Sequence, residues 1–360
     1  MKTYVLVGGL TSVQPLATCS KDLMDREGGS GKPSPIPHTM TGSGTRLYFP
    51  ATGIRGKLRR CARDAVRQHV IAATGNETPF SLDQHYFLTL GGIKGSGETS
   101  KASVAHEAYW RQKNPLLSVF GAGDAGELGF VAGHLSVGNA VCRNDVAPQV
   151  FSGARTDDLY RDRSQAAYLS DDDVQSLVRQ AEGNRDQSSV RASLKQLETA
   201  RRKARREKDE AQVESLSVKI ADAEKELADI RDESGSKDVS VGMPLAGYKA
   251  IPEGQYLEQR MHLLRSNDVE LGLLLAALDV FAREPLLGAH TSNGCGLVAG
   301  EWTVYEVTNQ GRVQIGAVRF EPFDALQVEG DVLKAAQSAL VAALKDADFS
   351  IPTTKAAANG

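Results

Sequence analysis

Cysteine is scarce. There are four in 360 residues, Cys19, Cys61, Cys142 and Cys295, and no two share a CxxC spacing. That argues against a zinc ribbon and against a disulfide framework, so the expectation is buried free thiols in a reducing cytoplasm. Long apolar runs are absent as well; nothing approaches the roughly 18 residues of a membrane-spanning helix. The N-terminal stretch MKTYVLVGGLTSVQPLATC has glycines where a secretory apolar region is continuous, and it alternates like a strand. The expected location is therefore the cytoplasm, with no membrane partner. The seven histidines show neither HExxH nor any paired-ligand spacing. His106-Glu107 reads as a solvated pair. GSGKPS fails as a phosphate-binding P-loop, because Arg26 stands where the first glycine belongs and Pro33 where a hydroxyl belongs. No metal, no cofactor and no catalytic residue is expected.

Net charge of one sign is also lacking: 42 basic against 45 acidic residues give a formal −3. That balance hides a local excess. Residues 53–70 hold six cations, Arg55, Lys57, Arg59, Arg60, Arg63 and Arg67, against one acid, Asp64. They follow FPATG (residues 49–53), in which Pro50 stiffens the chain and Gly53 and Gly56 permit close backbone approach. Helix-start amides form an anion site of their own. Glycines, amides and cations together favour a phosphate backbone over a solvated helix face.

Proline and glycine vanish from one window. The chain has 35 Gly and 13 Pro, yet residues 161–233 contain only Gly183 and no proline, with 15 basic and 17 acidic residues. This is helical sequence inserted into a loop-rich host. Ser170 with Asp173 resembles a capping box, and that helix is expected to stop at Gly183-Asn184. Val213, Leu216, Ile220, Ala223, Leu227 and Ile230 then form a narrow seam spaced three and four apart. Val190, Leu194, Leu197 and Ala204 precede it. One long helix or a hairpin folding back near Lys208-Asp209 satisfies the pattern, and the hairpin gives the seam a partner.

The host reads as α+β. Strands are expected at residues 3–9, 84–91, 128–142, 255–264, 301–307 and 312–320, and helices at 54–72, after the Asn267/Glu270 capping box, and at 330–346. Residues 11–48 read as a long loop, and the C-terminal tail as frayed. Two helices on one face of an antiparallel sheet suggest a ferredoxin-like core.

Four segments, in order, resemble the RAMP superfamily (repeat-associated mysterious proteins) of CRISPR systems: YFPATGIRGKLRRCARDAV (residues 48–66), NPLLSVFGAGDAGELGFVAGHLSVGNAV (114–141), IPEGQYLEQRMHLL (251–264) and LLAALDVFAREPLLGAHTSNGCGLVAG (274–300). They are most similar to the backbone subunit of type IV effectors. The resemblance implies a modified RNA-recognition, ferredoxin-like palm with a thumb insertion. It implies stacking of copies into a helical filament along CRISPR RNA, without reading its sequence. The implied division is a palm over 1–145 and 251–350, a thumb over 146–250 with a helical arm at about 165–232, and a disordered tail at 351–360. Implied partners are the CRISPR RNA, a target nucleic acid held through the guide, further copies of the chain, a large subunit and a capping RAMP subunit. Carried onto this sequence, the RNA contacts are Thr52, Gly53, Arg55, Gly56, Lys57, Arg59, Ser292, Asn293 and Gly294, with Phe151, Arg155 and Met243 at the thumb; Arg60 in the same basic helix start, and Lys94 in the glycine loop GGIKGSGE (residues 91–98), are expected phosphate contacts on their own residues. Type III relatives cut target RNA with an acid after the first strand; Asp22 and Asp25 lie there without the matching surroundings, so cleavage with Mg²⁺ is the alternative. A coiled-coil interaction protein that binds RNA incidentally is the third reading.

Overall fold

In the first strand, β1 (Lys2–Ser12), Tyr4, Leu6 and Leu10 alternate onto a fully covered face. This is the two-residue period of a sheet with a helix layer on one side. The computed structural model describes residues 1–18, 21–28, 32–42, 44–92, 103–156, 163–207, 209–234 and 242–353, with some side chains inside helices and strands left aside. Cys19 lies outside them; Cys61, Cys142 and Cys295 are buried free thiols.

After β1 come β2 (Leu16–Ala17), α1 (Lys21–Glu27), β3 (His38–Thr41), β4 (Gly44–Phe49), α2 (Ala51–Thr74), α3 (Leu82–Leu90), α4 (Val104–Lys113) and α5 (Pro115–Phe120). Then follow β5 (Leu135–Val137), β6 (Ala140–Cys142), β7 (Gln149–Thr156), α6 (Asp171–Glu207), α7 (Glu210–Ser234), β8 (Gly242–Ile251) and β9 (Tyr256–Ser266). The chain closes with α8 (Asp268–Arg283), β10 (Val298–Thr308), β11 (Gly311–Phe320), β12 (Gln327–Glu329) and α9 (Asp331–Ala343). The architecture is mixed helix and antiparallel sheet, an α+β class. Its main sheet has nine strands in the order β12-β11-β10-β1-β9-β6-β4-β3, with β5 also on β9; β2, β8 and β7 form a second sheet.

Several expectations change. The long loop of residues 11–48 contains β2, α1 and β3, and β4 begins within it. The strand expected at 84–91 is helix α3. Its Ser81 side chain accepts from the Gln84 amide while Gln84 returns to the Ser81 amide, and Gly91 closes it in the left-handed region at φ 85°. The capping box and the terminal glycine outweigh the aromatic, strand-like YFLTL. The single strand expected over 128–142 is two short ones, β5 and β6. His106 also differs: it is buried, and Trp110 Nε1 donates to its Nε2 at 3.1 Å.

Two compact units make up the chain: Met1–Phe151 with Gly247–Gly360, and Ser152–Ala246. In the first, α2 packs against α8 and α8 against α9. Gly272 lets α8 meet α9 closely, since a Cβ there would lie 2.2 Å from the Ala336 carbonyl oxygen. The Asn267/Glu270 capping box starts α8. The buried Glu270 carboxylate also accepts from the Ser118 hydroxyl and lies 2.8 Å from His134 Nδ1, tying α5 and the approach to β5 to the same helix.

The second unit contains the paired helices α6 and α7. Ser170 caps α6, accepting from the Asp173 amide at 3.2 Å. The helix runs through Gly183, which is buried, instead of stopping there. At 37 residues it is about 55 Å long. Of the two forms the pattern permits, the structure has the hairpin, with Val190, Ala204 and Ile220 buried in its seam. Among the described residues, no helix is long and apolar enough to cross a membrane.

Candidate nucleic-acid interface

The start of α2 carries no acidic residue and no side-chain cap on Pro50. Its first amide, that of Ala51, donates to Asn139 Oδ1 at 2.8 Å. Thr52 and Gly53 in the first turn are exposed. The buried Phe49 ring links this turn to the glycine-rich loop. A Cβ on Gly53 would lie 2.9 Å from Phe49 Cε1, and one on Gly288 would lie 3.1 Å from Phe49 Cε2. Gly288 has φ 84°, and a Cβ there would also lie 2.2 Å from the Ala17 carbonyl oxygen, so no side chain fits. Two glycines thus bracket one ring and bring the helix start and the loop of residues 288–296 together. In that loop Ser292, Asn293 and Gly294 are exposed, and nothing lies within 4 Å of a Cβ on Gly294.

The arginines divide by face. Arg55, Arg59 and Arg63, four apart, point toward α3 and α5. Arg59 is 6% exposed. Its Nε donates to the Leu88 carbonyl at 2.8 Å, its Nη2 to Phe87 at 3.0 Å and its Nη1 to Gly121 at 2.8 Å. Gly91 makes room for it, since a Cβ there would sit 3.2 Å from Arg59 Nη1. Arg55 donates to the Phe120 carbonyl at 2.6 Å, and Arg63 to the Thr89 hydroxyl at 2.8 Å. Helix C-termini leave carbonyls unpaired and carry partial negative charge, so a guanidinium fork satisfies both needs. Burial, and then the Arg55 charge, lowers Arg59 to about 10, which keeps it protonated at neutral pH. The expectation that Arg59 meets RNA is corrected: its guanidinium is committed to the interior. Arg55 is half-buried and shares the inward role.

The remaining cations face outward. Arg60 is exposed, and Lys57 is half-exposed with its ammonium 5.9 Å from the centre of the Phe281 ring. Neither forms an ion pair among the described residues. Arg67 pairs with Asp64 at 3.0 Å and Arg63 with the same carboxylate at 2.8 Å, so that acid offsets cations further along the helix. A Cβ on Gly56 would meet only Arg60 Nη1, at 3.8 Å, leaving the surface beside Lys57 open.

Of the other expected contacts, Lys94 lies outside the described residues. Arg155 is on β7 and Met243 on β8, with side chains outside the description, as is the side chain of Asp22. Asp25 is exposed on α1, which replaces the loop expected around it. Phe151 is half-buried and its ring stacks on Tyr248, 5.0 Å between centres and 13° from parallel. Two features escaped sequence reading. Tyr248 stacks in turn on His290, at 3.7 Å and 7°. On the open face of the main sheet, Arg143 lies over Tyr256 at 4.3 Å beside a hollow of about 480 Å³ that reaches Asn139. Three rings distant in sequence have no periodic signature; the pairing of β2, β8 and β7 is needed to see them.

No protein-family profile matches the sequence, and no curated protein matches it. Among solved structures, a chain of a "Type IV-B CRISPR Complex" is similar with a TM-score of 0.39 and 12% identity, over 87% of this chain and 93% of that one.

Proposed function

We propose that this chain is a non-catalytic RNA-binding subunit that lines up along CRISPR RNA as the backbone of a type IV effector. The four ordered segments of the sequence support the reading. So does the strand order β10-β1-β9-β6, antiparallel throughout, which suits a ferredoxin-like palm. The α6–α7 hairpin then belongs to the thumb insertion.

The observation that carries the proposal is the Phe49 ring bracketed by Gly53 and Gly288. It sets the first turn of α2, with Thr52 and Gly53 exposed, beside the glycine-rich loop that carries the exposed Ser292 and Asn293, and Lys57 and Arg60 follow on the next turns of the helix. Such a surface holds a sugar–phosphate chain by charge and backbone amides without reading bases. The contact set is Thr52, Gly53, Gly56, Lys57 and Arg60 with Ser292, Asn293 and Gly294, while Arg55 and Arg59 hold the helix ends behind it.

Salt dependence of single-stranded RNA binding tests this. Each phosphate contact contributes a slope of about −0.7 in log K against log salt. Lys57→Ala with Arg60→Ala is expected to flatten the slope by about 1.4. An unchanged slope makes the two a solvated face and refutes the proposed interface.

A further inference from the structure

We propose that the outer face of the His290 imidazole is a stacking platform for one unstacked base of single-stranded RNA, an inference that rests on the RNA-binding reading above. Phe151, Tyr248 and His290 form a continuous ladder of near-parallel rings, with interplanar angles of 13° and 7°. The ladder ends at His290. One imidazole face is covered by Tyr248 at 3.7 Å, yet the residue is exposed, so its exposure falls on the opposite face and edges. A base laid there continues a stack that is already formed.

The platform is held before any ligand arrives. Tyr248 Oη and Cys295 Sγ lie 3.4 Å apart, pinning the middle ring to the far end of the same loop. Burial and that thiol push the Tyr248 phenol up to about 12, so it remains a neutral ring at physiological pH. His290 has φ 60°, a left-handed conformation that side chains other than glycine seldom adopt. The loop maintains it: the amides of Asn293 and Cys295 both donate to the His290 carbonyl, at 2.9 and 3.3 Å. Strain kept at an exposed aromatic residue beside a candidate backbone-binding surface is what a preorganised contact requires. Stacking is sequence-tolerant because every base has a π face, which suits a subunit that accepts any guide.

The test uses the full chain, a labelled single-stranded RNA oligomer and a base-free sugar–phosphate oligomer of equal length. His290→Gly removes the ring and accepts φ 60° without steric strain. His290→Phe keeps a flat ring. His290→Gly is expected to weaken binding of the base-bearing oligomer about tenfold, with the salt slope unchanged and the base-free oligomer unaffected, and His290→Phe to retain binding. Equal affinity of His290→Gly and the unaltered chain for RNA, or an equal loss on both oligomers, overturns the platform while leaving the RNA-binding reading in place. An unaltered chain that binds neither oligomer overturns the RNA-binding reading, and the platform with it.

Discussion

Helix α8 and the α6–α7 hairpin show two ways for a helix to be stable. Helix α8 buries Leu271, Leu273, Leu274, Leu275, Ala277, Leu278 and Phe281, apolar around most of its circumference, between sheet and neighbouring helices. The hairpin buries little beyond Val190, Ala204 and Ile220 along one seam, and most of its remaining described positions are exposed, many of them charged. The first is fixed by a core; the second depends on a partner helix and its own propensity. A core-bound element is expected to report on global unfolding, and a seam-bound one to open by itself.

The largest expected effect is on the core side of this comparison. Arg59→Ala takes its guanidinium donors from the Leu88 and Gly121 carbonyls and leaves Phe87 with the Gly91 amide, and is expected to cost about 3 kcal/mol in chemical denaturation. Arg59→Lys does not restore it, because an ammonium cannot fork between two helix ends. A cost below about 1 kcal/mol means that the arginine is dispensable and the inward role is wrong.

A smaller effect is expected in the hairpin. Ile220→Ala is expected to cost about 2 kcal/mol locally, seen as faster amide exchange in α6 and α7 with α8 unchanged. In the same spirit, replacing residues 165–232 with a short Gly/Ser linker is expected to leave the core transition in place. Loss of folding in that deletion means that the seam is part of the core.

The smallest effect concerns pH. The Tyr4 hydroxyl donates to Asp268 Oδ1 at 2.7 Å, and this bond, opposed by partial burial and aided by Lys2, holds the carboxyl below its ordinary value. A carboxyl depressed in the fold contributes stability that is full above its unfolded pKa of about 3.9 and is lost as pH falls through the lower folded value. Asp268→Asn is therefore expected to lower stability slightly at neutral pH and leave strongly acid pH nearly unchanged, so that the acid limb of the stability profile flattens. An unaltered acid limb removes the Tyr4–Asp268 bond from the account.

The sequence was legible where a signal is local. The Asn267/Glu270 box, the seam from Val213 to Ile230 and the alternation of β1 each lie within a few turns of chain, and each marks its element. The same rules missed α3, where Ser81 and Gln84 outweigh an aromatic run, and carried the expected break at Gly183 too far. The candidate site divides likewise. The concentration of cations was visible, but their directions were not. Whether Arg59 meets water or a helix end depends on Phe87 and Gly121, which are 28 and 62 residues away. The bracketing of Phe49 and the ring ladder ending at His290 likewise join segments that no periodicity connects.

The central claim is that the surface around Phe49 holds RNA. Nuclease digestion of the purified chain with single-stranded RNA tests it most directly. The account predicts protected fragments in a regular ladder, one step for each added copy, which disappear when Lys57 and Arg60 are both replaced by Ala. RNA degraded to completion in the presence of the unaltered chain contradicts it.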